Sequence, residues 1–179
     1  MSKHVPTPGT WSIDPTHSAV SFTVRHLMIS KVRGSFQKFA GTITIDADVA
    51  KSTVEATVDV TSVSTNDETR DNHLRTNDFF DVANHPTWTL KSTGLRPDGD
   101  DWTLTADLTV RGVTKSVEFE VEFEGATTDP WGNRRLGFSA EAEINRKDWG
   151  VEYNAPLEAG GVLIGEKVKL SLDIEAVAA

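Results

Sequence analysis

The sequence has no cysteine, which excludes disulfide bonds, thiolate nucleophiles and cysteine-ligated metal sites. It also has no apolar run approaching the ~18 residues of a membrane-spanning helix. The first nine residues lack the apolar core of a signal peptide. We therefore expect a cytoplasmic protein without a membrane span, in which residues 1–9 form a flexible N-terminus.

Basic residues are scarce relative to acidic ones. The chain has 18 Lys and Arg against 27 Asp and Glu, and its formal net charge is −9. Because phosphate binding needs clustered cations, this balance argues against nucleic acid as a partner and against a broad surface for anionic membranes. A local basic patch remains compatible with the composition.

Recognisable metal and catalytic motifs are missing as well. The spacings of His17, His26, His73 and His85 match neither HxxxH nor HExxH. Ser18 follows His17 directly, so on a strand their side chains face opposite ways and form no catalytic pair. We expect no metal and no cofactor.

The dominant positive signal is a two-residue alternation of apolar and polar side chains. In residues 102–125 it places on one face Trp102, Leu104, Ala106, Leu108, Val110, Val117, Phe119, Val121 and Phe123. The carboxylates of Glu118, Glu120, Glu122 and Glu124 take the other face, which must therefore be solvated. The short link at Arg111-Gly112 predicts a β-hairpin.

Similar alternation recurs along the chain and predicts about eight strands. A change of parity near Ala40-Gly41 predicts a glycine-assisted bend, and Thr65 with Glu68 has the spacing of a helix capping box. We predict one all-β domain over residues 10–179, an antiparallel eight-stranded barrel with one or two short helices in its connections. Such a barrel holds packed side chains or one small ligand.

If the barrel holds a ligand, its inward residues favour an apolar one. Small residues at Ala56, Ala106, Ala140, Ala142 and Gly34 leave volume that bulky side chains would fill. Burying one CH₂ is worth ~0.8 kcal/mol, so five carbons of any hydrocarbon chain transfer ~4 kcal/mol before ordering costs. Few inward polar groups are available to orient a sugar or nucleotide. The residues alone leave two hypotheses open, a barrel filled by its own side chains with a purely structural role and an apolar tunnel with any polar head at its mouth.

Several motifs occur in a fixed order. They are Trp11-x-Ile13-Asp14-x-x-His17-Ser18-x-Val20-x-Phe22-x-Val24-x-His26, Gly34-x-Phe36, Ser64-x(5)-Arg70-Asp71-x-His73-Leu74, Asp78-Phe79-Phe80-Asp81, Pro86, Leu108-x-Val110-x-Gly112-Val113-Thr114-Lys115, Phe138-x-Ala140 and Arg146-x-Asp148-x-Gly150. Together they resemble the YceI-like family. The resemblance implies a bacterial, lipocalin-like barrel that binds a polyisoprenoid or other long-chain lipid, often as a homodimer. Many members carry an export signal, and this chain departs from them there.

We therefore predict a non-catalytic protein that binds such a lipid for transport, storage or sequestration. The predicted ligand-binding residues are Phe22, Val24, His26, Phe36, Val58, Trp88, Leu90, Leu108, Phe119, Val121, Phe138 and Ile174. Arg70 and Arg75 are candidates for contact with a head group, although they also suit local ion pairs and caps that hold the connecting helix. The alternative is an enzyme acting on an apolar small molecule, with His26 or His73 as the base.

Overall fold

The alternating segments form the strands of one antiparallel sheet in a computed structural model, which describes residues 5–158 and 161–179. The strands are β1 Gly9–Ile13, β2 Ala19–His26, β3 Ser30–Phe36, β4 Phe39–Ile45, β5 Thr53–Asp59, β6 Val63–Ser64, β7 Thr87–Asp98, β8 Asp101–Val110, β9 Val113–Thr128, β10 Arg134–Asn145 and β11 Ile164–Ala178. The helix α1 covers Glu68–Leu74. Of the predicted flexible segment 1–9, residues 1–4 lie outside the described part, and Gly9 already begins β1.

The sheet closes into a barrel. Strands β1 and β2, β3 and β4, and β5 and β6 are three bent pairs, each of which acts as one strand of the barrel wall. With β7 to β11 they make eight wall strands, each antiparallel to its neighbours. Closure comes from β11, which pairs with β2 and, through its last residues, with β1. The predicted eight-stranded barrel is therefore confirmed, and closure removes the long exposed edges of an open sheet.

The predicted hairpin is present as β8 and β9, and its four glutamates face solvent. The predicted bend at Ala40-Gly41 was wrong in position, because the chain breaks between β3 and β4 at Gln37-Lys38. Gly41 lies inside β4, where an added Cβ would come within 2.6 Å of Ile13 Cδ1. Glycine is needed there for close packing of β1 against β4 rather than for bending the strand.

Helix α1 covers one end of the barrel. Its N-cap is Asp67, whose Oδ1 accepts a hydrogen bond from Arg70 N at 2.8 Å, so the predicted Thr65–Glu68 capping box was wrong. Thr65 is instead buried, and its N and Oγ1 donate to Asp71 Oδ1 at 2.8 and 2.6 Å. A carboxylate with two donors fastens the helix to β6.

Among the described residues, no helix has the length and apolarity needed to cross a bilayer.

The turn between β2 and β3 has an unusual backbone. Leu27 and Met28 adopt φ values of 54° and 61°, which are left-handed conformations that bulky residues rarely take. His26 pairs with Ser30, so the connection has three residues. Successive left-handed turn positions favour Asn-Gly, and each strained residue costs about 1–3 kcal/mol. The turn sequence is therefore not one that backbone preference would select.

Ionic contacts join the strands at the opposite end of the barrel. The guanidinium of Arg135 lies 2.8 Å from Asp14 Oδ2, 2.8 Å from Asp129 Oδ2 and 3.0 Å from Glu175 Oε1. These hydrogen bonds to Arg135 lower the pKa of Asp129 to about 2 and hold the pKa of Asp14 well below its ordinary range. The network connects the end of β1 to β10 and β11 beside the closure of the sheet.

Acid should weaken this network. Because the pKa values of Asp14 and Asp129 are lower in the folded than in the unfolded state, their stabilisation is complete above an unfolded pKa of about 3.9 and is lost as the pH falls toward about 2. We expect the free energy of unfolding, measured by urea denaturation, to fall over that range. Arg135→Met should be less stable at neutral pH and lack this loss. Arg96→Met, which removes an exposed pair with Glu118, should keep the native pH dependence. An Arg135→Met profile parallel to the native one would contradict the assignment.

Candidate functional site

The interior of the barrel is not filled. Two cavities lie between the inward faces of the strands, one of about 590 Å³ and one of about 180 Å³. The larger volume falls within the roughly 300–1,000 Å³ of small-molecule binding sites. The hypothesis of a solidly packed, purely structural barrel is therefore not supported.

The larger cavity lies at the end that α1 covers. Its apolar lining comes from several strands and from the chain between β10 and β11, and includes Phe79, Phe80, Val110, Ile144, Trp149, Val151, Leu163, Ile164 and Val168. Its polar lining is concentrated on α1, the residues just before it and the ends of two strands: Arg25, His26, Thr65, Asp67, Thr69, Arg70, His73 and Arg146. The cavity is therefore apolar along its walls and polar near α1.

The smaller cavity extends toward the other end of the barrel. None of its lining residues, all within the described part of the chain, is charged. Trp88, Leu108 and Leu170 line both cavities, and we call these three residues the neck. The two cavities are thus adjacent compartments of one apolar interior.

An aromatic cluster packs against the neck at Trp88. The ring of Trp88 lies 4.8 Å from that of Phe36 and 5.1 Å from that of Phe80, and Phe22 lies 5.7 Å from Phe36. These centroid distances are typical of favourable edge and tilted ring contacts. Trp88 Nε1 is buried and has no hydrogen-bond partner among the described residues. The cluster supports the neck from one side of the barrel.

All twelve predicted ligand-binding residues line at least one of the cavities, because strand alternation places them on the inward face. The larger cavity is lined by Phe22, Val24, His26, Trp88 and Leu108. The smaller takes Phe36, Val58, Trp88, Leu90, Leu108, Phe119, Val121, Phe138 and Ile174. Their contact with a ligand remains a prediction.

The two arginines proposed for a head group are placed differently. Arg70 lines the larger cavity, with Nε donating to Thr65 Oγ1 and Nη2 to Thr65 O, both at 2.7 Å. Arg75 lines neither cavity. It donates to Thr61 O at 3.0 Å and to Val63 O at 3.1 Å, and thereby ties α1 to the segment around β6.

The sequence did not single out Arg146 as a site residue, although Arg146 belongs to one of the family motifs. Its side chain is buried beside the larger cavity, and burial lowers its pKa. The guanidinium donates to the carbonyls of Gly165 at 2.8 Å and Val151 at 2.7 Å. It therefore holds the chain after β10 against the start of β11. The sequence signal that could have identified it was its place in the motif Arg146-x-Asp148-x-Gly150.

His73 is part of a second cluster beside the cavity. Its ring lies 5.0 Å from Phe79 and 4.9 Å from Tyr153, and its Nε2 lies 2.8 Å from Asp78 Oδ2. Within the described residues, no group of three His, Cys, Asp or Glu side chains is arranged to hold a metal ion. His73 thus connects α1 to the aromatic residues of the cavity lining.

The small residues contribute to the cavities only in part. Ala56 and Ala140 line the smaller cavity, whereas Ala106 and Ala142 line neither. The expectation that Gly34 leaves open volume was wrong, because the ring of Phe22 occupies the position where a Cβ would lie. Phe22 and Gly34 are cross-strand partners, and the missing side chain of Gly34 leaves room for the aromatic ring.

Comparison with known proteins gives a consistent result. The sequence profile of the YceI-like domain matches residues 11–176. Protein YceI of Escherichia coli O17:K52:H18 is 44% identical over 162 residues, which cover 90% of this chain and 82% of that protein. The UPF0312 protein SERP2314 of Staphylococcus epidermidis is 35% identical over 169 residues, which cover 92% and 95% of the respective chains.

Solved structures share the barrel. The YceI protein of Campylobacter jejuni is 28% identical with a TM-score of 0.73, and the match covers 87% of this chain and 90% of that one. BcnA of Burkholderia cenocepacia gives a TM-score of 0.80 at 21% identity, with 91% and 98% covered. A polyisoprenoid binding domain from Saccharophagus degradans gives 0.72 at 16% identity, with 94% and 98% covered. The latter two show likeness of fold alone.

Substitution of Gly34 should disturb the larger cavity. In Gly34→Ala the new Cβ overlaps the Phe22 ring, which must move from its seat, and we expect a loss of about 1–3 kcal/mol in the free energy of unfolding. Gly94→Ala is the control, because no atom lies within 4 Å of its added Cβ. Urea denaturation compares the two variants. Equal free energies of unfolding for the two variants would show that the Phe22 ring does not need a glycine at position 34.

Proposed function

This chain belongs to the YceI-like family, and on that premise we propose that it is a non-catalytic protein that binds a long apolar lipid inside its barrel. The observation that carries the proposal is the cavity of about 590 Å³, which adjoins a second, uncharged compartment. The polyisoprenoid binding domain of Saccharophagus degradans, which has the same fold, supports a polyisoprenoid as the ligand class. The proposed binding domain spans residues 10–179.

Burial of hydrocarbon supplies the affinity. A prenyl unit transferred from water is worth ~4 kcal/mol, so a few units offset the loss of motional freedom on binding. Because the neck residues line both compartments, we propose that the lipid occupies the larger cavity and that its hydrocarbon tail passes the neck into the smaller one.

The polar end of the ligand belongs near α1. Arg70 lines the larger cavity, and among the described residues its Nη1 forms no hydrogen bond, so it can donate to a head-group oxygen. Arg75 is less suited, since its Nε and Nη2 are engaged by the carbonyls of Thr61 and Val63. We therefore assign head-group contact to Arg70 rather than Arg75.

A binding role receives more support than the enzymatic alternative. His26 and His73 line the larger cavity near its polar part, and His73 Nε2 already contacts Asp78. The smaller cavity offers no charged group that would act on a bound chain. Transport, storage or sequestration of the lipid is consistent with such a site. The homodimer implied by the family resemblance remains a prediction, which sedimentation analysis would test.

Filling the larger cavity should abolish ligand capture. Val168→Trp places an indole in that cavity, whereas Lys167→Trp adds the same group one residue away on a side chain that is 81% exposed. We expect organic extraction and mass spectrometry to recover a prenyl or acyl lipid from the native protein and from Lys167→Trp, and none from Val168→Trp. Absence of lipid from the native protein, together with no binding of added prenyl lipids, would overturn the proposed function.

Narrowing the neck should favour the binding of lipids with shorter hydrocarbon chains. Leu170→Phe adds volume where the two cavities meet, so the tail of a long polyprenyl ligand is excluded from the smaller cavity. Loss of even one buried prenyl unit should weaken binding of a long chain by at least about tenfold, with little effect on a short one. Lys169→Phe, at an exposed outward position of the same strand, is the control. An equal effect on short and long chains would contradict passage through the neck.

A further inference from the structure

Three consecutive apolar residues are exposed in the turn between β2 and β3. Leu27, Met28 and Ile29, here called the apolar tip, have 36, 52 and 80% of their surface exposed. Among the described residues the other large exposed apolar side chains are Val5 and Trp131, which are far apart in sequence. Isolated exposed apolar residues are ordinary, whereas a contiguous group indicates an interaction surface.

The requirements of folding do not explain these residues. Leu27 and Met28 occupy left-handed backbone positions at which asparagine and glycine would be less strained. The structure thus keeps bulky apolar side chains where they neither pack in the core nor suit the backbone. A contact outside the folded chain would account for both observations.

Basic residues flank the apolar tip on the same hairpin, and one of them, Arg25, also lines the larger cavity. Arg25 and Lys31 are cross-strand partners, Arg33 follows on the same face, and all three are exposed. Residues 15–45 contain no Asp or Glu, although the chain has 27 acidic residues in total. Within residues 5–158 and 161–179 these three cations form no ion pair, so their charge is available to a partner.

The apolar tip lies beside the larger cavity. Leu27 N donates to Leu163 O at 2.9 Å, and His26 pairs with Ile164. His26, Leu163 and Ile164 all line that cavity. A surface that contacts the tip would therefore also face this part of the cavity lining.

We propose that the apolar tip docks the protein on an anionic lipid bilayer. Leu27, Met28 and Ile29 insert at the boundary between head groups and acyl chains, while the flanking cations contact lipid phosphates. The surplus of acidic residues on the rest of the chain is repelled by the same membrane, which orients the protein with its larger cavity toward the lipid. This docking goes beyond ligand binding, and its test does not require a ligand in the barrel.

Vesicle co-sedimentation tests the proposal on the full chain. We expect binding to vesicles of phosphatidylcholine and phosphatidylglycerol in equal parts, weaker binding at high salt, and little binding to phosphatidylcholine alone. The triple variant Leu27→Asn, Met28→Gly, Ile29→Ser should bind at least about tenfold more weakly, because it lacks the inserting side chains. Its turn residues suit the left-handed backbone, so it should fold at least as stably as the native protein. Neutralising Arg25, Lys31 or Arg33 should lower partitioning by about fivefold each.

Trp131→Ser is the matched control. Trp131 is 83% exposed and lies in the β9–β10 turn, beside the C-terminal end of β11, whereas the tip lies near the start of β11. It should retain native vesicle binding. Docking through the tip is overturned if the native protein fails to bind anionic vesicles or if the triple variant binds as the native protein does. It is also overturned if the triple variant merely dissociates a dimer, since the tip would then bind a second copy.

Discussion

Closure of the sheet by β11 is the constraint on which the rest of this structure depends. The long central part of β11 pairs with β2, and the last residues of β11 pair with β1, beyond the bend at residues 14–18. Every wall strand then has two neighbours, and the inward faces enclose a space without a solvated side. The Arg135 network and the buried Trp11 hold the same region together. Without this closure the apolar faces would form an open sheet instead of a container.

A closed wall also explains why the interior stays partly empty. The backbone hydrogen bonds of the barrel limit how far its walls can collapse onto missing volume. At the α1 end, Asp71 and Arg146 tie the covering segments to backbone groups, so these segments do not fall into the larger cavity. Apolar lining that faces empty space forfeits dispersion contacts. A bound hydrocarbon chain would restore them, and ligand binding would therefore stabilise the fold by mass action.

Polar side chains are distributed unevenly over the barrel, and their distribution is consistent with a ligand that enters from one end. The polar lining and the hairpin with the exposed apolar tip occur at the end of the barrel where α1 lies, while the smaller compartment beyond the neck is uncharged. An amphiphile that entered tail first would leave its polar end among the side chains near α1. The net charge of −9 conceals a basic hairpin, because composition averages over a surface that is locally different.

The sequence alone determined the fold class and the inward rows, because strand alternation assigns each side chain to a face before any contact is known. It placed Phe22, Leu108 and Ile174 facing the interior for that reason. It did not determine how the faces fit together, and so it misplaced the bend at Gly41 and treated Gly34 as empty space. Only the tertiary structure decided that Phe22 fills the space over Gly34 and that Arg146 is buried against backbone carbonyls. Only it placed the apolar tip beside the cavity, since these relations depend on distances between strands that are remote along the chain.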